Sequence, residues 1–188
     1  MITIEFTGRL IILCWIAMIL FWLFSALFVK RTLERQSWKW PRIILCLVIV
    51  TTVILSQHGY TGPVLVSRTL AIAIAADAMA FLGALIEIWA RMYLGRNWSA
   101  DLTLKENHEL IDRGPYRFIR HPIYTGFALL ILGTTLWYGH AEGFIFFIAL
   151  LAGLYIRAQR EERLLSKQFP STYLSYKAKT KMFIPFVF

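Results

Sequence analysis

The chain has 188 residues, of which 58% are hydrophobic and 16% charged, with a mean hydropathy of +0.59 and a formal net charge of +9. That balance excludes an ordinary soluble domain and points to an integral membrane protein. The positive charge does not imply nucleic acid, because Lys and Arg cluster as five within 30–42, six within 91–120 and seven within 157–181, between apolar runs.

A membrane span needs ~20 predominantly apolar residues, and Leu10 to Val29 is uncharged over such a length. Only Arg9 precedes it and no small-x-small site separates it from Lys30-Arg31, so it is predicted to remain as an anchor rather than leave as a signal peptide. Ile43 to Ser56 is a second, shorter run, and Thr69 to Ile86 carries Asp77 as its one charge. Pro122 to Tyr138 and Gly143 to Ile156 are separated by Gly139, His140, Ala141 and Glu142, a link short enough for a helical hairpin. The predicted fold is therefore an all-α integral membrane protein of about five transmembrane helices. Residues 1–68 are predicted to form the N-terminal transmembrane hairpin and external loop, and 69–188 the second membrane region. Positively charged loops stay on the cytoplasmic side, which places the N-terminus and the 57–68 loop outside. Basic residues at the inner rim are expected to meet anionic membrane lipids. Cys14 and Cys46 lie in apolar runs and read as small buried hydrophobes, with no disulfide or metal site.

Within the third run, Asp77 is costly in a bilayer and is expected to pair inside the bundle or to face a polar path. Ala76, Ala80 and Ala84 form a stripe of small residues suited to close helix packing, and it permits a homo-oligomer.

Two segments expected on the cytoplasmic side carry the chemistry. Leu94 to His121 holds turn signals at Gly95, Asn97 and Gly114-Pro115. Pro122 makes His121 project from an extended approach to a helix whose first turn contains the proline. Arg113, Arg117 and Arg120 surround it; Arg113 and Arg117 serve equally well as headgroup anchors. The second segment, Arg157 to Phe169, suits a helix that prolongs the fifth span, with Arg157 and Glu161 four apart on one face. Glu162 reads best as part of a solvated ion-pair helix, and Tyr173 and Tyr176 as interfacial aromatics.

These segments resemble the isoprenylcysteine carboxyl methyltransferase family and its bacterial and archaeal relatives. The family's elements read here as His108-Glu109-Leu110-Ile111, Gly114-Pro115-Tyr116, Arg120-His121-Pro122-Ile123-Tyr124-Thr125-Gly126 and Arg157-Ala158-Gln159-Arg160-Glu161-Glu162, followed by Phe169, Tyr173 and Tyr176. The resemblance covers roughly residues 94–188 and departs at Pro170, where the family more often has Gly. It implies an S-adenosyl-L-methionine-dependent membrane methyltransferase, with 69–188 as the catalytic region and a cytoplasmic C-terminal cofactor-binding region within it. Carried over by position, the cofactor contacts are His108, Leu110, Ile111, Tyr116, His121, Pro122, Ile123, Tyr124 and Glu161. Arg157 is implied to bind the methyl acceptor, and His121 and Arg157 to serve catalysis. The side chains suit such a donor: Glu161 to pair an ammonium, Tyr116 and Tyr124 to offer faces to adenine or a sulfonium.

The acceptor implied is an isoprenylcysteine-like or other lipophilic carboxylate, ionised at neutral pH and needing no general base. The same residues leave open a phospholipid N-methyltransferase, in which His121 or Glu162 would act as base. An NADPH-dependent membrane reductase and a non-catalytic, headgroup-binding membrane module are the other readings.

Overall fold

The structure, a computed structural model, describes residues 4–28, 32–36, 62–95, 102–105 and 110–187, with backbone only for 4–5, 32–36 and 102–105. The second predicted span, Ile43 to Ser56, and His108 lie outside the described residues. Five α-helices are present among those described. They are α1 (Ile4–Ala26), α2 (Leu70–Leu94), α3 (Pro122–Tyr138), α4 (Ala141–Gln168) and α5 (Pro170–Lys179). Three of them, α1, α2 and α4, are long and apolar enough to cross a membrane. The 17 residues of α3 reach about 26 Å at ~1.5 Å per residue, just under a hydrocarbon thickness of ~30 Å. The chain is a multi-pass integral membrane protein.

Small residues set the central packing. On α2, Ala76 and Ala80 are fully buried and Ala84 nearly so. A Cβ on Gly83 would meet the backbone of Gly126 and Leu130 in α3 at 2.5 Å, and one on Gly126 would meet Gly83 O and Glu87 N at 2.7 and 2.8 Å. Gly133 likewise faces Ala76 and Ala80. The two backbones therefore touch along an antiparallel crossing, the arrangement that dispersion favours where lipid supplies no hydrophobic drive. The alanine stripe is thus occupied within the chain.

Helix α1 covers the neighbouring face of α2, where Ile11, Cys14 and Met18 join Ala76, Ala80, Ala84 and Leu130 in one core. Trp15 Nε1 donates to Thr134 Oγ1 at 3.1 Å and Trp137 Nε1 to Thr7 Oγ1 at 3.2 Å, tying α1 to α3. At the other end, buried Arg91 donates to Ser25 O (2.8 Å) and Gly95 O (2.6 Å), so one guanidinium secures the last turns of α1 and α2. The two helices run parallel as a result. Asp77 is buried on this seam, and its Oδ1 has no hydrogen-bond partner among the described residues.

One feature was not predicted. Thr32–Gln36 (β1) and Leu102–Lys105 (β2) pair as a two-stranded antiparallel ribbon, with Gln36 opposite Leu102 and a register irregularity between Thr32 and Glu34. It joins the first and second basic loops, which must therefore lie on the same side of the bundle. The hairpin between α3 and α4 is tighter than expected. Gly139, in the left-handed region (φ 79°), caps α3, and α4 resumes at Ala141. Helix α4 then runs without a break past Ile156 to Gln168, as its sequence predicted, and Pro170 takes the first turn of α5.

Candidate active site

The site is assembled where α3 begins and the polar half of α4 emerges. The approach to α3 makes a 3-10 turn at Gly114–Arg117 with Pro115 in its first positions. Gly114 has φ +57°, and a Cβ there would sit 2.6 Å from the Tyr93 ring, so only glycine lets the turn rest on the end of α2. The turn buries Pro115 and Tyr116. Burial, with Glu161 close by, holds the Tyr116 phenol well above its ordinary range, so it stays neutral.

His121 caps α3 with Pro122 next in line, in a non-helical conformation (φ −124°, ψ 57°) that falls short of the extended geometry expected from the sequence. Its buried ring stacks on Tyr124, with centroids 5.3 Å apart and planes within 1°. The Tyr124 hydroxyl donates to Glu161 Oε2 at 2.7 Å and accepts from Arg157 Nε at 2.7 Å. His121 Nδ1 lies 3.8 Å from the same Glu161 oxygen. His121, Tyr124, Arg157 and Glu161 thus converge on one locus from two helices. The Glu161 side chain retains 37% exposure, whereas that of His121 is 5% exposed, so the carboxylate is reachable and the imidazole is fixed.

Residues treated as peripheral in the sequence complete the construction. Glu162 is buried rather than solvated, and it receives Arg120 Nε at 2.6 Å and Lys177 Nζ at 2.7 Å. His121 Nε2 is 3.5 Å from the same carboxylate. Arg120 thus binds Glu162, while the His121 ring lies within 4 Å of both consecutive glutamates of α4. Arg120 also donates to Thr180 O. Tyr173 is 1% exposed and not interfacial; its neighbour Tyr176 donates to Tyr116 O at 2.7 Å. Burial raises the Tyr176 phenol as well, keeping it a donor.

Residues 181–183 line the other side. Arg120 N donates to Lys181 O (2.8 Å), His121 N to Met182 O (3.1 Å) and Thr125 Oγ1 to Phe183 O (2.9 Å). The Phe183 ring stands 5.7 Å from that of His121. Of the other residues expected at the site, Pro122 is buried, and Leu110, Ile111 and Ile123 are half-buried along the same approach. Arg113 and Arg117 are exposed, in keeping with an anchoring role.

The sequence model of the isoprenylcysteine carboxyl methyltransferase family matches residues 72–167, just over half the chain and every element of this locus contributed by α2, α3 and α4. The chain belongs to the isoprenylcysteine carboxyl methyltransferase family. Among its relatives, protein-S-isoprenylcysteine O-methyltransferase B of Arabidopsis thaliana is 28% identical over 112 residues, covering 58% of this chain and 57% of that protein. The Saccharomyces cerevisiae protein-S-isoprenylcysteine O-methyltransferase is 36% identical over 87 residues, covering 45% and 36%. The chain thus spans about half the length of the curated relatives it matches. The solved structure of the eukaryotic intramembrane Ras methyltransferase of this family superposes with a TM-score of 0.58 at 19% identity, over 81% of this chain and 55% of that one, a likeness of fold. In this family member, α5 and residues 180–183 fall beyond the matched region yet close the site from outside it.

Proposed function

We propose that the chain is an S-adenosyl-L-methionine-dependent membrane methyltransferase acting on the carboxylate of an isoprenylcysteine-like or similarly lipophilic acceptor. The observation that carries the reading is the Tyr124 hydroxyl held between Arg157 and Glu161, with His121 stacked on its ring, inside the family-matched region. The residues fit the donor. Glu161 offers a partly exposed carboxylate to an ammonium, and the Tyr124 and His121 rings supply faces for a sulfonium or an adenine. When bound, S-adenosyl-L-methionine supplies an electrophilic methyl group on a positively charged sulfur.

Leu110, Ile111, Tyr116, Pro122 and Ile123 form the apolar surround of the donor site, and His108 belongs with them by its position in the motif. Arg157 holds and orients the acceptor carboxylate. Its Nε is engaged by Tyr124, which fixes the plane of the guanidinium, a group whose geometry suits a planar anion. A carboxylate is already ionised at neutral pH, so no residue need remove a proton. The contribution of the protein is alignment and exclusion of water. His121 acts by fixing the Tyr124–Glu161 pair.

The basic blocks favour a cytoplasmic site and an external 57–68 loop. The ribbon between the first two basic loops supports that arrangement, because it keeps both on one side. Membranes containing the protein, incubated with radiolabelled S-adenosyl-L-methionine and a farnesylated cysteine, test the reading. Label released as methanol by base identifies a methyl ester. Base-stable label, or none in folded protein, overturns it.

A further inference from the structure

We propose that residues 174–187 form a membrane-docking element that binds anionic phospholipid headgroups at the mouth of α3. Hydrogen bonds from Arg120 N, His121 N and the Thr125 hydroxyl fix 181–183 against the first turn of a membrane-spanning helix, so this segment lies at the level of the bilayer boundary. From there it turns apolar side chains outward. Leu174 is 61% exposed, Ile184 52%, Phe186 90% and Val187 71%. Phe118, 50% exposed, adjoins them, since Ile119 and Lys181 form a parallel bridge.

Exposed Lys179 and Lys181 accompany these side chains, and the sequence from 170 to 188 contains no acidic residue. Lysines beside aromatic and aliphatic groups at an interface are the combination that lies in the headgroup layer. The apolar groups enter the acyl boundary, and each ammonium near an anionic leaflet adds attraction. A protein partner has no such positional argument, whereas the leaflet entered by α3 is already adjacent.

The docking bears on the site, and this clause rests on the function proposed above. Phe183 faces His121, and Lys177 reaches Glu162, so lipid that orders 174–187 also steadies the wall of the donor site.

The test uses the full chain in phosphatidylcholine nanodiscs with and without about 30% phosphatidylglycerol. Val187→Cys on a Cys14→Ala, Cys46→Ala background carries a bimane label, and lipid bearing a nitroxide at the shallow 5 position serves as quencher. The proposal predicts strong quenching in anionic discs, at least twofold weaker quenching in neutral discs, and the neutral value in anionic discs after K179Q/K181Q. Emission at the aqueous wavelength without lipid quenching in both discs overturns it. Equal quenching in both overturns the claim of headgroup recognition. Hydrogen exchange on the unsubstituted chain gives a second reading that does not depend on the cysteine background, with slower exchange of 181–187 amides in anionic discs expected. Neither readout needs donor or acceptor, so failure here is separable from failure of the methyltransferase reading.

Discussion

Replacing Tyr124 with Phe removes one oxygen and keeps the ring that stacks on His121. That oxygen makes two hydrogen bonds to charged groups, each 2.7 Å long, one to Glu161 and one from Arg157. Bonds of this kind contribute about 1.5–3 kcal/mol each, but Glu161 and Arg157 stand on one helical face and can recover part of the loss by pairing directly. A net penalty of about 2–3 kcal/mol is therefore expected on the assembled site. At ~1.4 kcal/mol per tenfold, this is a fall of roughly 30- to 150-fold in kcat/KM for methyl transfer. Radiometric initial rates in nanodiscs, measured against both donor and acceptor, give the number, and a thermal unfolding curve within a few degrees of the parent shows that the fold is intact. A Tyr124→Phe variant with kcat/KM within twofold of the parent would refute the reasoning, because the hydroxyl would then organise nothing.

Arg157→Lys keeps the charge but loses the planar fork. It is expected to raise the acceptor KM at least tenfold while leaving the S-adenosylhomocysteine Kd within threefold, as read by rates and calorimetry. Arg120→Met removes the buried partner of Glu162 and leaves it only the half-exposed Lys177, and breaking a buried pair costs about 3–5 kcal/mol. At ~2–4 °C per kcal/mol the unfolding midpoint should drop by roughly 6–20 °C, whereas Lys177→Met, at a half-exposed partner of the same carboxylate, should shift it by no more than ~3 °C. Equal shifts for the two would show that burial does not distinguish them. Gly83→Val drives a side chain into the Gly126 and Leu130 backbone. It should lower the midpoint by an amount matching about 3 kcal/mol or more, or abolish monodisperse protein on size exclusion; an unchanged midpoint would mean the α2–α3 crossing is looser than described.

Much of the site was legible because its residues lie in two short segments whose local geometry is dictated by sequence. Pro122 sets the approach of His121, and 3.6-residue periodicity brings Arg157 and Glu161 to one face. Tertiary facts were not legible. Glu162 reads as a solvated carboxylate beside Arg160 and Arg163, and nothing local shows that Arg120 and Lys177 arrive from distant parts of the chain to bury it. Tyr173 looks interfacial for the same reason, since its burial depends on how α5 folds back after Phe169. An alternating-residue signal could not reveal the ribbon either, because its strands of five and four residues lie about 70 positions apart. The alanine stripe was legible as a packing surface, though only the structure shows that Gly133 of the same chain packs against Ala76 and Ala80.

Calorimetric titration of purified protein with S-adenosylhomocysteine, parent against Glu161→Gln, tests most directly whether this rim of the bundle holds a cationic methyl donor. Saturable one-to-one binding by the parent is expected, with an affinity at least tenfold weaker in the variant at an unchanged unfolding midpoint. Absence of binding by folded parent protein, or equal affinity in the two, would contradict it.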